Sequence, residues 1–306
     1  MITSVVKWIF VVFIFVIVLV IVFTLFSPKE TKHQNAVNVS GGRNEMVTVE
    51  DIEVGYRIYG KGQPLVLIMG YGSTMNLWED NFLESLSEHF KVIIFDNRGM
   101  GETSTGEKKF SIVQFSKDTL GLLDALGIKK AHVLGWSMGS YIAQELASRN
   151  PDRVNKLILY ASAPNPTMFP PSSDVLAKLE DTSGTPEEQG ARWIGLLFPE
   201  KWIENNGKRI QEIFYRPMGT ILPENIGKQS MAIGEWKGLE ERLSLLPHRT
   251  LLVAGKEDVL VPPANSLYLK EKLPKSDIEL IEGTGHGFMF QEPTQFLQLV
   301  IGFLKK

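Results

Sequence analysis

No cysteine occurs anywhere in the 306 residues. That absence excludes disulfides, thiolate zinc sites, iron–sulfur clusters, a cysteine nucleophile and a lipid-modified cysteine anchor together. It selects no redox compartment, because a chain without thiols tolerates either. An excess of charge of one sign is also missing. The 32 Lys and Arg against 35 Asp and Glu leave a formal net charge of -3, so nucleic acid is not an expected partner. The basic residues are scattered, and pairs such as Lys108-Lys109 and Lys129-Lys130 read as solvated surface. Histidine is scarce, at five residues, which narrows the search for a general base. Repeats and low-complexity stretches are absent, apart from one apolar run near the N-terminus.

That run, residues 8–26, carries no charge and only Thr24 as a polar group. At about 1.5 Å per residue, a helix of this length spans the hydrocarbon core of a bilayer. A cleaved secretory signal is the competing reading, but the run is too long for one and no small-x-small site follows it. A buried soluble helix is disfavoured because bulky apolar residues occupy every face. The expectation is an uncleaved N-terminal transmembrane helix within residues 1–26, with the membrane as a partner. Lys7 precedes the run and Lys29 and Lys32 follow it, so flanking charge barely sets the orientation. The short tail before the run favours a large domain on the extracytoplasmic side. Residues 27–45, with Pro28, Gly41 and Gly42, read as a tether.

Beyond the tether, residues 47–59 alternate apolar and polar side chains, as an opening antiparallel hairpin does. A short unbroken apolar run follows at residues 65–69, and further short, largely apolar segments lie at residues 92–95, 131–134, 154–160 and 250–254. Each suits a strand buried on both faces. Segments with helical spacing separate them, at residues 77–89, 111–126 and 138–149. Ser111 is placed to cap the second and Gly127 to stop it. Repeated strand–helix alternation implies an α/β fold with a mostly parallel, doubly wound sheet. The rhythm breaks at Pro164, Pro166, Pro170 and Pro171 and resumes at Thr250. Residues 164–247 are therefore expected to form a helical cap between two parts of one core, residues 46–163 and 248–306. A helix near residues 264–273, a strand at 278–281 and a helix at 292–304 complete the pattern.

Gly135-Trp136-Ser137-Met138-Gly139 stands where an apolar run ends and a helical pattern begins. A serine on so sharp a strand-to-helix turn needs neighbours without bulk two residues away on each side. Its hydroxyl is then held clear of the sheet, and the Met138 amide is free to face a developing oxyanion. The pentapeptide alone is weak evidence, since chance supplies one in roughly every ten chains of this length. Its context carries the weight. Ligands of open parallel sheets bind beyond the carboxyl ends of the strands. Of the five histidines, only His286 lies in a loop that follows a strand; His33, His89, His132 and His248 are placed elsewhere. Asp258, in the loop after residues 250–254, is the acid suited to fix the imidazole's tautomer. Glu257 competes with it, but its side chain is expected to point the opposite way.

Serine, then acid, then histidine is an ordered set, and with it the chain from about residue 46 resembles the α/β-hydrolase superfamily. Gly135 to Gly139 looks like that superfamily's nucleophile elbow, and Phe95-Asp96-Asn97-Arg98-Gly99-Met100-Gly101 like its loop after the fourth strand. The loops holding Asp258 and His286 match its acid and base positions. Members usually carry His-Gly after the strand ending at Met69, whereas this chain reads Met69-Gly70-Tyr71-Gly72. The matched position makes the Tyr71 backbone amide the second oxyanion donor, with Met138 the first. Asp96 and Arg98 are better read as loop-bracing groups, since buried charges usually pair.

The expectation is a serine esterase or lipase-like hydrolase without cofactor or metal, acting on an ester or related acyl bond of a small apolar substrate. Ser137, Asp258 and His286 would carry the chemistry. Trp193, Leu196, Leu197, Phe198, Trp202, Phe214 and Trp236 suit an apolar acyl or alcohol group, or else simply the cap's own core. Acyl transfer, cofactor-free peroxidation and non-catalytic ligand sensing on the same fold are the alternatives.

Overall fold

The short apolar runs become the centre of an eight-stranded sheet. The structure, a computed structural model, describes residues 42–306 except Thr182 and Tyr215. The expected transmembrane segment and most of the tether lie outside these residues. Among the described residues, no helix is long and apolar enough to cross a membrane.

Strands β1 (Glu45–Val49) and β2 (Ile52–Tyr59) form the opening hairpin, with β1 starting one residue inside the expected tether. They are followed by β3 (Gln63–Ile68), α1 (Asp80–Ser87), β4 (Phe90–Phe95), α2 (Ile112–Ala125), β5 (Ala131–Trp136), α3 (Met138–Arg149) and β6 (Val154–Tyr160). After the cap come β7 (Arg249–Gly255), α9 (Ala264–Lys272), β8 (Ser276–Ile281), α10 (Phe288–Gln291) and α11 (Pro293–Lys305). The strand order is β1-β2-β4-β3-β5-β6-β7-β8. β1 with β2 and β2 with β4 are antiparallel, and the remaining neighbours are parallel.

A period of two sends alternate side chains of each central strand into different layers. Val66, Ile68, Ile93, Phe95 and Val133 join the layer holding Phe115 and Leu122 of α2 and Ile142 and Leu146 of α3. Leu65, Leu67, Val92, Ile94 and Leu134 join the layer holding Phe82 and Leu86 of α1 and Phe296 and Val300 of α11. Helices thus cover both faces. Connections leave β3 and β5 in opposite directions along the sheet, so the crevice beyond these two strands is a topological switch point, where such sheets bind ligands.

Local rules account for the element ends. The Ser111 hydroxyl accepts from the Gln114 amide and starts α2, and Gly127, with φ +66°, ends that turn. Between β6 and β7 lie the cap helices α4 (Ser173–Glu180), α5 (Pro186–Leu197), α6 (Glu200–Asn205), α7 (Gly207–Phe214) and α8 (Pro223–Glu235). A 3-10 turn at Glu240–Leu245 leads back to the sheet. Thr185 and Glu188 form a reciprocal capping box that begins α5. The cap's contact with the core includes one isolated β-bridge, between Met100 and Ile221.

Candidate active site

Ser137 is the residue between β5 and α3, with φ 54° and ψ -122°. A non-glycine residue in this region is strained by about 1–3 kcal/mol, so the surroundings must hold it. They do so through the backbone. The Ser137 amide donates to Tyr160 O at 2.9 Å, and the Ser137 carbonyl accepts from the Ser140 amide at 2.8 Å and the Ser140 hydroxyl at 2.6 Å. The flanking glycines are required sterically. A Cβ on Gly135 would lie 2.2 Å from Gly139 O, and one on Gly139 would lie 2.1 Å from Ile68 O. Met138 opens α3, so its amide is among the first-turn donors that have no intrahelical acceptor.

The loop after β3 lies directly against this turn. A Cβ on Gly70 would sit 3.4 Å from Ser137 Cβ and 3.3 Å from Trp136 O, which brings the Gly70–Tyr71 backbone beside the serine. Gly72 adopts φ +64°, the left-handed conformation glycine tolerates best. From below, Asn97 Nδ2 donates to Met69 O at 3.1 Å, and Asp96 Oδ1 accepts from the Met75 amide at 2.6 Å. From the cap side, Met218 O accepts from the Thr74 hydroxyl at 2.6 Å.

His286 and Asp258 meet. His286 Nδ1 and Asp258 Oδ2 are 2.9 Å apart and both residues are buried. Asp258 Oδ1 accepts from the Leu260 and Val261 amides at 2.9 and 2.8 Å. Both carboxylate oxygens are therefore occupied, which fixes the group in place. Glu257 is exposed, whereas Asp258 is buried. The two loops interlock: a Cβ on Gly255 would fall 2.3 Å from Thr284 O, and the Glu257 amide donates to Thr284 O at 2.9 Å. The His286 carbonyl receives the Tyr160 hydroxyl at 2.5 Å and Trp136 Nε1 at 3.3 Å. The indole of Trp136, the residue before Ser137, packs 5.6 Å from the imidazole centroid.

Neither Tyr160 nor Gln291 is marked by a sequence motif. Yet Tyr160 touches both the serine turn and the histidine loop, and Gln291 Oε1 accepts from the Gly285 amide at 2.8 Å. Burial raises the Tyr160 hydroxyl's pKa well above its usual value, so it stays a protonated donor. Burial also pushes Asp96 up to about 6, against opposing hydrogen bonds from the Glu102 and Met75 amides.

Asp96 and Arg98 are bracing groups, as expected. Arg98 is fully buried and forks onto Asp118 at 2.7 and 2.8 Å and onto Asp51 at 2.8 Å twice. That hydrogen bonding is the foremost reason Asp51 lies well below the usual carboxylate range, overcoming the effect of burial. Among the described residues, no three His, Asp or Glu are grouped to hold a metal ion.

The cap closes over these loops. Leu197 O accepts from the Gly287 amide at 3.0 Å, and a Cβ on Gly287 would strike the Phe198 ring at 2.3 Å. Several of the apolar cap residues pack on one another or on the core. Phe198 stacks on Trp202 at 4.6 Å, and Trp236 stacks on Tyr141 at 4.7 Å while its indole donates to Glu145 at 2.9 Å.

A family model described as the alpha/beta hydrolase fold matches residues 63–188. A relative from Caulobacter sp. (strain K31), named "Putative carbamate hydrolase RutD", is 30% identical over 246 residues, which cover 79% of this chain and 90% of the relative. A protein of the same name from Caulobacter segnis is 29% identical over 258 residues, covering 82% and 96%. Among solved structures, an alpha/beta hydrolase fold protein from Chitinophaga pinensis superposes with a TM-score of 0.74 at 25% identity, covering 86% of this chain and 97% of its own.

Proposed function

The chain belongs to the α/β-hydrolase family, and from that premise we propose that it is a serine hydrolase cleaving an ester or related acyl bond. The observation that carries the reading is the buried His286–Asp258 pair at 2.9 Å, packed against the strained turn that presents Ser137. In this reading Ser137 Oγ attacks the carbonyl carbon while His286 Nε2 takes its proton. Asp258 holds the proton on Nδ1 and stabilises the imidazolium that forms. The Met138 and Tyr71 amides face the tetrahedral oxyanion. His286 then returns the proton to the leaving group, and water releases the acid from Ser137.

A carbamate is a related acyl group, so the relatives' printed name is compatible with this chemistry. The bond carries an apolar acyl or alcohol group. The half-buried Leu197, bonded to the histidine loop, supports that choice. Residues 8–26 anchor the chain in a membrane with the hydrolase domain extracytoplasmic, a reading that rests on their length and lack of charge. Carbonate extraction of membranes tests it: release of the full chain into the wash removes the anchor.

The activity test is a panel of p-nitrophenyl esters and carbamates offered to the full-length protein and to Ser137→Ala. Turnover by the wild type alone supports the reading. No turnover, or equal turnover by the variant, rejects it.

A further inference from the structure

Two cap residues, one helical turn apart on α8, reach the core through their side-chain amides. Asn225 and Gln229 are fully buried. Asn225 Nδ2 donates to Gly99 O and to Thr105 Oγ1, both at 2.9 Å. Gln229 Oε1 accepts from the Gly72 amide at 2.9 Å. Ser230 follows and hydrogen-bonds the Tyr71 hydroxyl, whose oxygen is enclosed. One helix of the cap therefore grips both residues of the Tyr71–Gly72 step.

The chemistry fixes which way the Gln229 amide faces. Gly72 N–H is a donor, so Oε1 must meet it, because the flipped amide would set two donors against each other. Gly72 sits at φ +64°, and a glycine is the residue least able to hold one conformation unaided. The amide preceding it along the backbone is that of Tyr71, beside Ser137. A donor aimed at an oxyanion works by being oriented before the charge develops, so a mobile loop would lose that advantage.

We propose that Gln229 is a positioning residue. By holding Gly72 it keeps the Tyr71 amide aimed at the oxyanion position. This rests on the serine-hydrolase reading above. Gln229 contacts no substrate and acts through the loop.

The test compares three variants of the full-length protein on the fastest p-nitrophenyl ester. Gln229→Met is close in shape but has no acceptor for Gly72. Gln229→Glu keeps an acceptor whether its carboxyl is ionised or not. Asn225→Met loosens the same helix without touching residues 70–74. Gln229→Met should lower kcat by about tenfold, a fraction of the roughly 10²–10³ seen when a donor itself is removed, with KM changed less than about threefold. Its affinity for a trifluoromethyl ketone, which forms a tetrahedral adduct on serine, should fall in proportion to kcat/KM. Gln229→Glu should recover most of the loss, and Asn225→Met should lower Tm without this selective loss in kcat. Unchanged kcat in Gln229→Met overturns the proposal. So does a Gln229→Glu variant as impaired as Gln229→Met, or the same kinetic pattern in Asn225→Met. Should Gln229→Met not fold, Gln229→Asn replaces it, since it is one methylene short of Gly72 and should show the same loss. If Ser137 in the wild type neither hydrolyses esters nor reacts with a fluorophosphonate, the hydrolase reading fails and takes this proposal with it; an active wild type with unaffected variants sinks the proposal alone.

Discussion

The Tyr160 hydroxyl donates to the His286 carbonyl at 2.5 Å, while the Tyr160 carbonyl accepts the Ser137 amide at 2.9 Å. One residue at the end of β6 therefore ties the serine turn to the histidine loop, which are far apart in sequence. Tyr160→Phe keeps the ring and the backbone bond but removes the hydroxyl. The variant should lose about 1–2 kcal/mol of stability, because His286 O keeps only the longer Trp136 bond. Its kcat/KM should fall by about tenfold as the imidazole loosens. Denaturant titration and steady-state kinetics on the same preparation check both, and unchanged kinetics would remove Tyr160 from the positioning of His286.

Asp258→Asn separates geometry from charge. The asparagine oxygen can still accept from the Leu260 and Val261 amides, but its NH2 then faces His286 Nδ1. That arrangement forces the imidazole proton onto Nε2, the atom that accepts from Ser137 in the proposed mechanism. A loss of about 10³–10⁴ in kcat/KM is expected, with Tm changed by a few degrees at most. A loss below tenfold would mean that Asp258 does not set the tautomer.

Gly139→Ala tests the turn itself. Its Cβ would meet Ile68 O at 2.1 Å and Met69 O at 2.8 Å, backbone atoms at the end of a central strand that cannot step aside. A destabilisation above about 3 kcal/mol, or failure to fold, is the expected outcome. Wild-type stability by thermal denaturation would show the turn to be looser than this.

How much of this was legible in the sequence follows from which interactions are local. Residues 138–149 and 154–160 were delimited correctly because a glycine-flanked turn, Pro151 and the apolar residues 157–160 mark their ends. That Asp258 and His286 come together was legible because strand-end loops and a shortage of histidines narrowed the choice. The strand expected at 278–281 begins at Ser276, since its first residues are polar and pair only once β7 is beside them. The helix expected from residue 77 opens as a 3-10 turn at Met75–Leu77 and becomes regular only at Asp80. Helix α10 was missed, being a single turn inside a glycine-rich loop. Asp51, Tyr160, Asn225 and Gln229 carried no signal, because each acquires its role from a partner at least 47 residues away. The apolar cap residues were ambiguous for the same reason: Trp236 is committed to Tyr141 and Glu145, a pairing that periodicity does not reveal.

A buried histidine outside the site sets part of the acid sensitivity. Burial foremost, with Lys156 nearby, pushes His132 from 6.5 down to about 4. Between those pH values the unfolded chain takes up a proton that the native chain refuses, so stability falls as pH drops from about 6.5 to 4. The upper limit of that loss is about 3 kcal/mol. His248 is lowered by burial as well and acts in the same direction. Denaturant titrations of wild type and His132→Leu at pH 7.5, 5.5 and 4.5 should show a shallower decline in the variant. Parallel declines would contradict the assignment.

The most direct measurement is fluorophosphonate trapping followed by peptide mapping, which needs no knowledge of the substrate. A single adduct on Ser137, formed quickly by the wild type, slowly by Asp258→Asn and not at all by Ser137→Ala, is the predicted result. An absence of adduct in the folded wild type, or an adduct that survives Ser137→Ala, would contradict the central claim that this strained serine is an activated nucleophile.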